Sequence, residues 1–332
     1  MDKTITPYAQ AIAARQLGTP PELLRMEAVT GGYSLNRRSL VGVDNRWLFV
    51  KEVDTTLLSG DGSEELSWLN KDAKVMSWLR RRSVSCAPGW SELGGDGRIL
   101  LMEALRAEEG WHWTPPQGVD ISRRYVDAVV NAIQSLEDTP VSEEEVAVYQ
   151  LQPFFRNEMA DDSGFGVLLG DAAVRRALRE KFTIMARSEL PDIVRRACDM
   201  VVGLLSNMPD LHDLQQAALS LKHQPDNLLN HCDVRSDNVA WHESTGRVVL
   251  VDWNWASLAP RGFGATEFLM DIVRRGGDAT PWLGELNKDL LAAAVGMYIT
   301  KCLQSSVGLS DGLRQMQAET AAVALLLYRA ID

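Results

Sequence analysis

Hydrophobic and polar positions change their rhythm along this chain. Up to about residue 105 the apolar residues come in short runs. VTGGYSLNRRSLVGV (29–43) and RWLFVKEV (46–53) read as two strands, the second rich in aromatic and β-branched residues. GRILLMEAL (97–105) reads as a buried strand. Between 63 and 82, Leu66, Leu69, Ala73, Met76 and Leu79 recur at three- and four-residue spacing, which predicts a helix that APGW (87–90) breaks. Beyond residue 106 the spacing is mainly helical. Val126, Val129, Val130, Ile133 and Leu136 line one face of 125–137. Further helices follow over 165–220, among them LPDIVRRACDMVVGLLSNM with Pro191 placed early, and LLAAAVGMYITKCLQ and TAAVALLLYRAI close the chain. The predicted fold class is α+β: a small β-rich N-terminal lobe over 1–105 and a larger, mostly helical C-terminal lobe over 106–332.

Composition narrows this picture only at its edges. The 332 residues are 45% hydrophobic and 24% charged, ordinary for a soluble globular protein with substantial cores. The net charge of −11 argues against a nucleic-acid binder and would attract cationic small molecules. No apolar run is long enough to cross a bilayer, and MDKTITPYAQAIAARQ lacks the apolar core of a secretory signal. Cys86, Cys198, Cys232 and Cys302 lie far apart, as structural thiols of a reducing compartment do. A cytoplasmic location without membrane attachment is the expectation.

The chemistry concentrates in HCDVRSDN (231–238) and VVLVDWNWA (248–256). NVAWH and RVVLVDW are two short strand-like runs joined by ESTG, a turn ending in Gly246. A hairpin centred near Ser244 and Thr245 sets Asn238 and Asp252 opposite each other at its open end, where paired Cβ atoms are about 5 Å apart. An amide oxygen and a carboxylate so placed suit magnesium, which takes hard oxygen ligands and bridges phosphates. Asp233, on the loop entering the hairpin, is placed to accept a proton from an attacking hydroxyl. Phosphoryl transfer needs this set and little else from a protein. Taken singly, each residue also fits a polar surface hairpin; the ordered set is what points to function.

These two stretches resemble the catalytic core of the aminoglycoside phosphotransferases and choline kinase-like enzymes, relatives of the protein kinases. The family pattern reads His-Gly-Asp, four residues, Asn, then Asp-Trp or Asp-Phe after a hairpin. The resemblance makes Asp233 the catalytic base, Asn238 and Asp252 the magnesium ligands, and His231 a brace for the loop. Cys232 departs from the pattern, standing where the family has glycine. The resemblance also suggests that Arg235 contacts the transferred phosphoryl group, as a lysine does in serine/threonine kinases; a solvated charge or a bridge to an acid is the alternative. It implies a bilobal, protein-kinase-like fold that uses ATP and Mg2+.

The same resemblance assigns roles in the N-terminal lobe. Gly31, Gly32 and Ser34 of TGGYS would approach the nucleotide phosphates, and Lys51 on the next strand would contact them. The acid that pairs with this lysine falls on Asp72, with Glu65, two helical turns earlier, as the alternative. Met102, Glu103 and Leu105 fall on the hinge that receives the purine, acting mainly through main-chain atoms. Trp253 and Trp255 read as core packing beside the metal site, and Glu267 and Asp271 as acids that tie a helix to the catalytic loop. Trp111, His112 and Trp113 fit either the cleft wall or a lid.

The leading expectation is therefore an ATP- and magnesium-dependent kinase of a small-molecule hydroxyl, with an aminoglycoside or other amino sugar as first guess. Choline-like alcohols, sugars and hydroxyamino acids stay open as acceptors. A protein kinase is disfavoured, since neither Asp-Phe-Gly nor Ala-Pro-Glu brackets an activation segment. The rival is a catalytically weak pseudokinase serving as a nucleotide- or partner-binding module.

Overall fold

The computed structural model describes residues 4–29, 36–54, 62–153, 164–304 and 311–331. The chain forms two compact units, the first made of residues 1–136, 142–150 and 237–256, the second of 137–141, 151–236 and 257–332.

The first unit is built on an antiparallel sheet of β1 (Arg25–Ala28), β2 (Arg37–Val43), β3 (Arg46–Glu52), β4 (Ser91–Gly94) and β5 (Ile99–Glu103), in the order β1-β2-β3-β5-β4. Each of the three runs read as strands contains one among the described residues, over 37–43, 46–52 and 99–103. The first third also holds a helix that apolar spacing did not predict, α1 (Pro7–Leu17). Its buried face is made largely of alanines, too small to stand out as a periodic stripe. Its ends were nevertheless written: the Thr6 side chain accepts the Ala9 N–H, and Gly18 closes the helix in the left-handed region at φ 63°. Ala9, Ile12, Ala13 and Leu17 of α1 pack on Val41, Val50, Ile99 and Leu101 of the sheet.

Side chains alternate across a strand, so the core position of Val50 puts its neighbour Lys51 on the opposite face. On that face lies α2 (Ser63–Arg81), which buries Leu69, Asp72, Ala73, Val75, Met76, Trp78 and Leu79. The unit is completed by α3 (Val119–Glu137), which starts six residues before the predicted Tyr125, by α4 (Glu143–Val148), and by a three-stranded sheet. That sheet contains β6 (Trp111–His112), β8 (Val239–His242) and β9 (Val248–Leu250). Leu105, Trp111, Ala240 and Val249 form its small core.

The second unit is helical apart from one antiparallel pair, β7 (Leu228–Asn230) with β10 (Ser257–Ala259). Its helices are α5 (Phe165–Gly170), α6 (Ala172–Met185), α7 (Asp192–Leu204), α8 (Met208–Ser220), α9 (Phe263–Arg274), α10 (Lys288–Lys301) and α11 (Asp311–Ala330). Nine consecutive-turn positions of α10 between Leu290 and Ile299 are buried on all sides, which makes it the central helix of the unit. All four cysteines are buried thiols, and burial raises Cys86 and Cys198 to about 12 and Cys302 to about 11. Among the described residues, no helix is long and apolar enough to cross a membrane.

Candidate active site

In the first unit the chemistry gathers around Lys51. The ladder sets Arg38 and Leu100 directly across from it on the two neighbouring strands. Lys51 Nζ lies 2.6 Å from Asp252 Oδ1 and 3.5 Å from Asp72 Oδ2. Asp72, rather than Glu65, is thus the α2 acid that meets the lysine. Its other oxygen, Oδ1, accepts the backbone N–H of Trp253 at 2.9 Å, so one short side chain joins the helix, the lysine and the turn after Asp252.

Charge bookkeeping explains the electrostatics here. Burial pulls the Lys51 ammonium down, but Asp252 and Asp72 outweigh it and hold the group above its ordinary value. Burial raises Asp72 to about 6 against the opposing pull of Lys51 and the Trp253 N–H. Two carboxylates thus share direct contact with one ammonium, and Arg38 across the ladder opposes that ammonium's charge.

The β8–β9 hairpin carries Asn238 and Asp252. Gly246 takes φ 70° in its turn, and Val239 pairs with Leu250. The register differs by one residue from the expected pairing: Asn238 stands opposite Val251, whose N–H donates to its carbonyl at 3.0 Å. Asp252 lies one step beyond, in the left-handed region at φ 70° and ψ 54°. The strand therefore ends at Val251, and the chain turns through Asp252 instead of continuing the ladder. Asn238 is 5% exposed, whereas the Asp252 side chain is 28% exposed and open to a ligand. These hard oxygen donors fit a divalent cation such as magnesium. Among the described residues no group of three or more His, Cys, Asp or Glu could hold a metal by itself, so such an ion would need further oxygens from phosphate or water.

The remaining first-unit expectations fall as follows. Gly31, Gly32 and Ser34 lie outside the described residues. Met102 and Glu103 stand in the central strand β5, where Glu103 N–H donates to Trp90 O at 3.2 Å. The Glu103 carboxylate takes the Gly89 N–H and pairs with Arg247 of the hairpin turn at 2.9 Å. The Leu105 carbonyl accepts the Trp113 indole N–H at 2.8 Å. Trp253 is fully buried, as a core residue is, whereas Trp255 is half-buried, with its ring centroid 6.0 Å from that of the half-buried Trp68 of α2.

In the second unit, β7 leads into the loop that carries His231, Asp233 and Arg235. Cys232 takes φ 59°, the left-handed conformation that glycine accepts freely and an L-residue accepts at a cost of about 1 kcal/mol. Arg235 Nη1 pairs with Asp233 Oδ1, and the Arg235 N–H donates to the Asp233 carbonyl at 3.1 Å. Arg235 is thus a bridge to an acid in this structure.

Two acids one helical turn apart on α9 hold the loop from below. Glu267 Oε2 accepts the Val234 N–H at 3.3 Å. Burial, and next the Asp233 carboxylate, hold Glu267 well above the ordinary carboxylate range. Asp271 Oδ2 accepts both the N–H (2.9 Å) and the hydroxyl of Ser236. Burial pushes Asp271 up, but Arg274 and Arg275 reverse it and bring the group to about 2. Arg274 reaches on to Glu319 of α11 at 3.3 Å. Sequence reasoning placed both acids at the loop but missed Ser236 and the arginines. The arginines sit three and four residues after Asp271, a helical spacing that was there to be read; Ser236 gave no signal.

Known proteins share this architecture. The structure of aminoglycoside 2'-phosphotransferase-IIIa in complex with GDP superposes with a TM-score of 0.54 at 12% identity, over 97% of this chain and 97% of that one. Choline kinase LicA from Streptococcus pneumoniae superposes with a TM-score of 0.50 at 12% identity, over 96% of this chain and 99% of that one. At such identities the likeness speaks for the protein-kinase-like fold alone. No curated protein matches the sequence. The model of the phosphotransferase enzyme family matches residues 27–293, most of the chain. The chain belongs to the phosphotransferase enzyme family.

Proposed function

We propose that this enzyme transfers the γ-phosphoryl group of ATP to a hydroxyl of a small molecule, first an aminoglycoside or another amino sugar. The observation that carries the reading is the contact between Lys51 and Asp252, a cation and a carboxylate 201 residues apart in sequence held at 2.6 Å with Asp72 beside them. A lysine held between two carboxylates, one of them 28% exposed, is suited to receive phosphates together with a divalent cation.

In this reading the N-terminal lobe, residues 1–105, binds the nucleotide, with Gly31, Gly32 and Ser34 toward its phosphates and Met102, Glu103 and Leu105 at the purine. Lys51 binds phosphate oxygens, and Asp72 orients its ammonium. Asn238 and Asp252 would hold magnesium, which when bound offsets the phosphate charge. Asp233 takes the proton of the acceptor hydroxyl onto its carboxylate, which requires Arg235 to leave Oδ1 and frees that guanidinium for the transferred group. The helical lobe, 106–332, supplies the acceptor pocket. An acidic chain favours a cationic acceptor, and the named relatives act on aminoglycosides and choline.

The Arg235–Asp233 pair favours one other reading, a nucleotide-binding module whose base stays covered. A phosphotransfer screen across aminoglycosides, amino sugars, simple sugars and amino alcohols, run on the wild type and on Asp233→Ala, tests both. Transfer to one acceptor class that Asp233→Ala abolishes supports the kinase. Magnesium-nucleotide binding without transfer or hydrolysis would favour the module.

A further inference from the structure

The segment 142–150 belongs to the first unit although its sequence neighbours on both sides belong to the second. It lies along α2. Helix α4 within it has six residues and none is buried, so neither its length nor apolar burial holds it in place. What holds it is Glu145. This carboxylate accepts the backbone N–H (2.9 Å) and hydroxyl (3.0 Å) of Ser142, the indole N–H of Trp78 (2.9 Å) and a guanidinium N–H of Arg82 (2.6 Å). Those donors bring Glu145 down to about 2, with the Ser142 N–H the largest contributor. Around it, Tyr149 stacks on Trp78 with centroids 4.7 Å apart, and its hydroxyl accepts from Arg81 at 3.0 Å. Lys71 Nζ donates to the Gln150 carbonyl at 3.1 Å.

These contacts run from Lys71 to Arg82, the C-terminal half of α2 and the residue after it. Asp72 stands in that half, six residues before Trp78 and so about 9 Å along the axis. Its carboxylate has two tasks on this face, toward Lys51 and toward the Trp253 N–H. As an aspartate it has little reach, so a small shift of α2 would release either contact.

We propose that segment 142–150 is a strap on α2 and that Glu145 is a positioning residue for phosphotransfer, acting through Asp72 on Lys51. The proposal rests on the reading of Lys51 and Asp72 as the nucleotide-phosphate pair. Loosening the strap lets Asp72 move off Lys51, which lowers turnover without touching a group that meets substrate.

The test is a double-mutant cycle of Glu145→Ala and Asp72→Ala on the full chain, read three ways. The first readout needs no nucleotide or metal: the rate at which acetic anhydride acylates Lys51, measured by peptide mass mapping relative to exposed Lys222. The second is turnover of magnesium-ATP, and the third is thermal stability. Glu145→Ala is expected to speed Lys51 acylation and to slow turnover about three- to tenfold, with little change in KM for ATP. In the Asp72→Ala background both effects of Glu145→Ala should vanish, while its effect on stability persists. Glu145→Gln, which keeps an acceptor for the Trp78 N–H, should recover part of the loss and serves if the alanine variant folds poorly. Equal effects of Glu145→Ala with and without Asp72, or no effect on Lys51, would overturn the strap while leaving the Lys51–Asp72 role intact. Should Asp72→Ala alone change neither Lys51 acylation nor turnover, the role of that pair falls and the strap with it.

Discussion

Each unit buries a group of acids, and the two groups differ in how their charge is met. Around Lys51, Asp72 and Asp252 share one ammonium, and burial still raises Asp72 to about 6. Around Ser236, the equally buried Asp271 is met by Arg274 and Arg275 and lies at about 2. Glu319 on Arg274 completes two carboxylates against two guanidiniums. Burial is similar in both places, so the count of cations decides the difference. The second group is charge-complete and its acceptor sites are filled by Ser236, which suits a brace. In the first, two carboxylates contact one ammonium and the Asp252 side chain is 28% exposed, which suits a site that takes up charge.

This comparison can be broken most directly at Asp252. Asp252→Asn keeps a residue type that tolerates the left-handed backbone but removes the carboxylate, leaving one ammonium with one acid. Magnesium-dependent turnover should fall by about 10³-fold or more while the fold is retained. Near-normal steady-state rates at ordinary magnesium, with unchanged circular dichroism, would show that the Asp252 carboxylate has no part in activity.

Next in size is Asp233, which lies above the braced loop. Asp233→Asn preserves shape but cannot take the acceptor's proton, and phosphotransfer should drop by about 10²-fold or more. Nucleotide binding, measured by calorimetry with a non-hydrolysable magnesium-nucleotide analogue, should change little. A matching loss of binding would make Asp233 a structural acid like Asp271.

The brace itself should show in stability more than in nucleotide affinity. Asp271→Asn leaves Arg274 and Arg275 without their buried anion and should cost about 3 kcal/mol in urea unfolding. Because the wild-type carboxyl lies below its unfolded value, its contribution is present above about pH 4 and is lost as pH falls toward 2. The variant's deficit should therefore shrink over that window. A deficit independent of pH would mean that the ion pairs do not carry the effect.

The smallest effect is expected at Glu267, which has the opposite sign. Burial and Asp233 place its folded value above its unfolded one, so the unfolded chain releases a proton that the native protein keeps. Stability supplied by this carboxyl is full below the ordinary glutamate value and declines as pH rises from there toward the folded value. Thermal melts of Glu267→Gln, which keeps an acceptor for the Val234 N–H, should show a flatter decline than the wild type over that range. Identical slopes would remove Glu267 from the pH dependence.

The sequence by itself fixed much of this. β-Branched runs specified β2, β3 and β5, and three- and four-residue spacing specified α2, because those periods state which face of an element is buried. The ordered motif from His231 to Asp252 was legible because a short loop and a hairpin are local structures whose geometry follows from a few residues. Lys51 could be placed on the face away from α1 once Val50 was known to be core. What tertiary structure alone decided are the partners of the charges. That Asp72 rather than Glu65 meets Lys51, that Asp252 meets the same lysine across 201 residues, that Asp72 also takes the Trp253 N–H, and that Asp271 holds Ser236 depend on angstrom-level approach between segments distant in sequence. The one-residue offset of Asp252 from Asn238, by contrast, follows from the turn itself: a hairpin centred between Ser244 and Thr245 pairs Asn238 with Val251, as observed, and the left-handed backbone at Asp252 then ends the ladder. Local periodicity carries no information on which distant side chains converge, because convergence is set by how helices pack on the sheet and on one another, and a charge's partner is whatever that packing brings within about 3 Å.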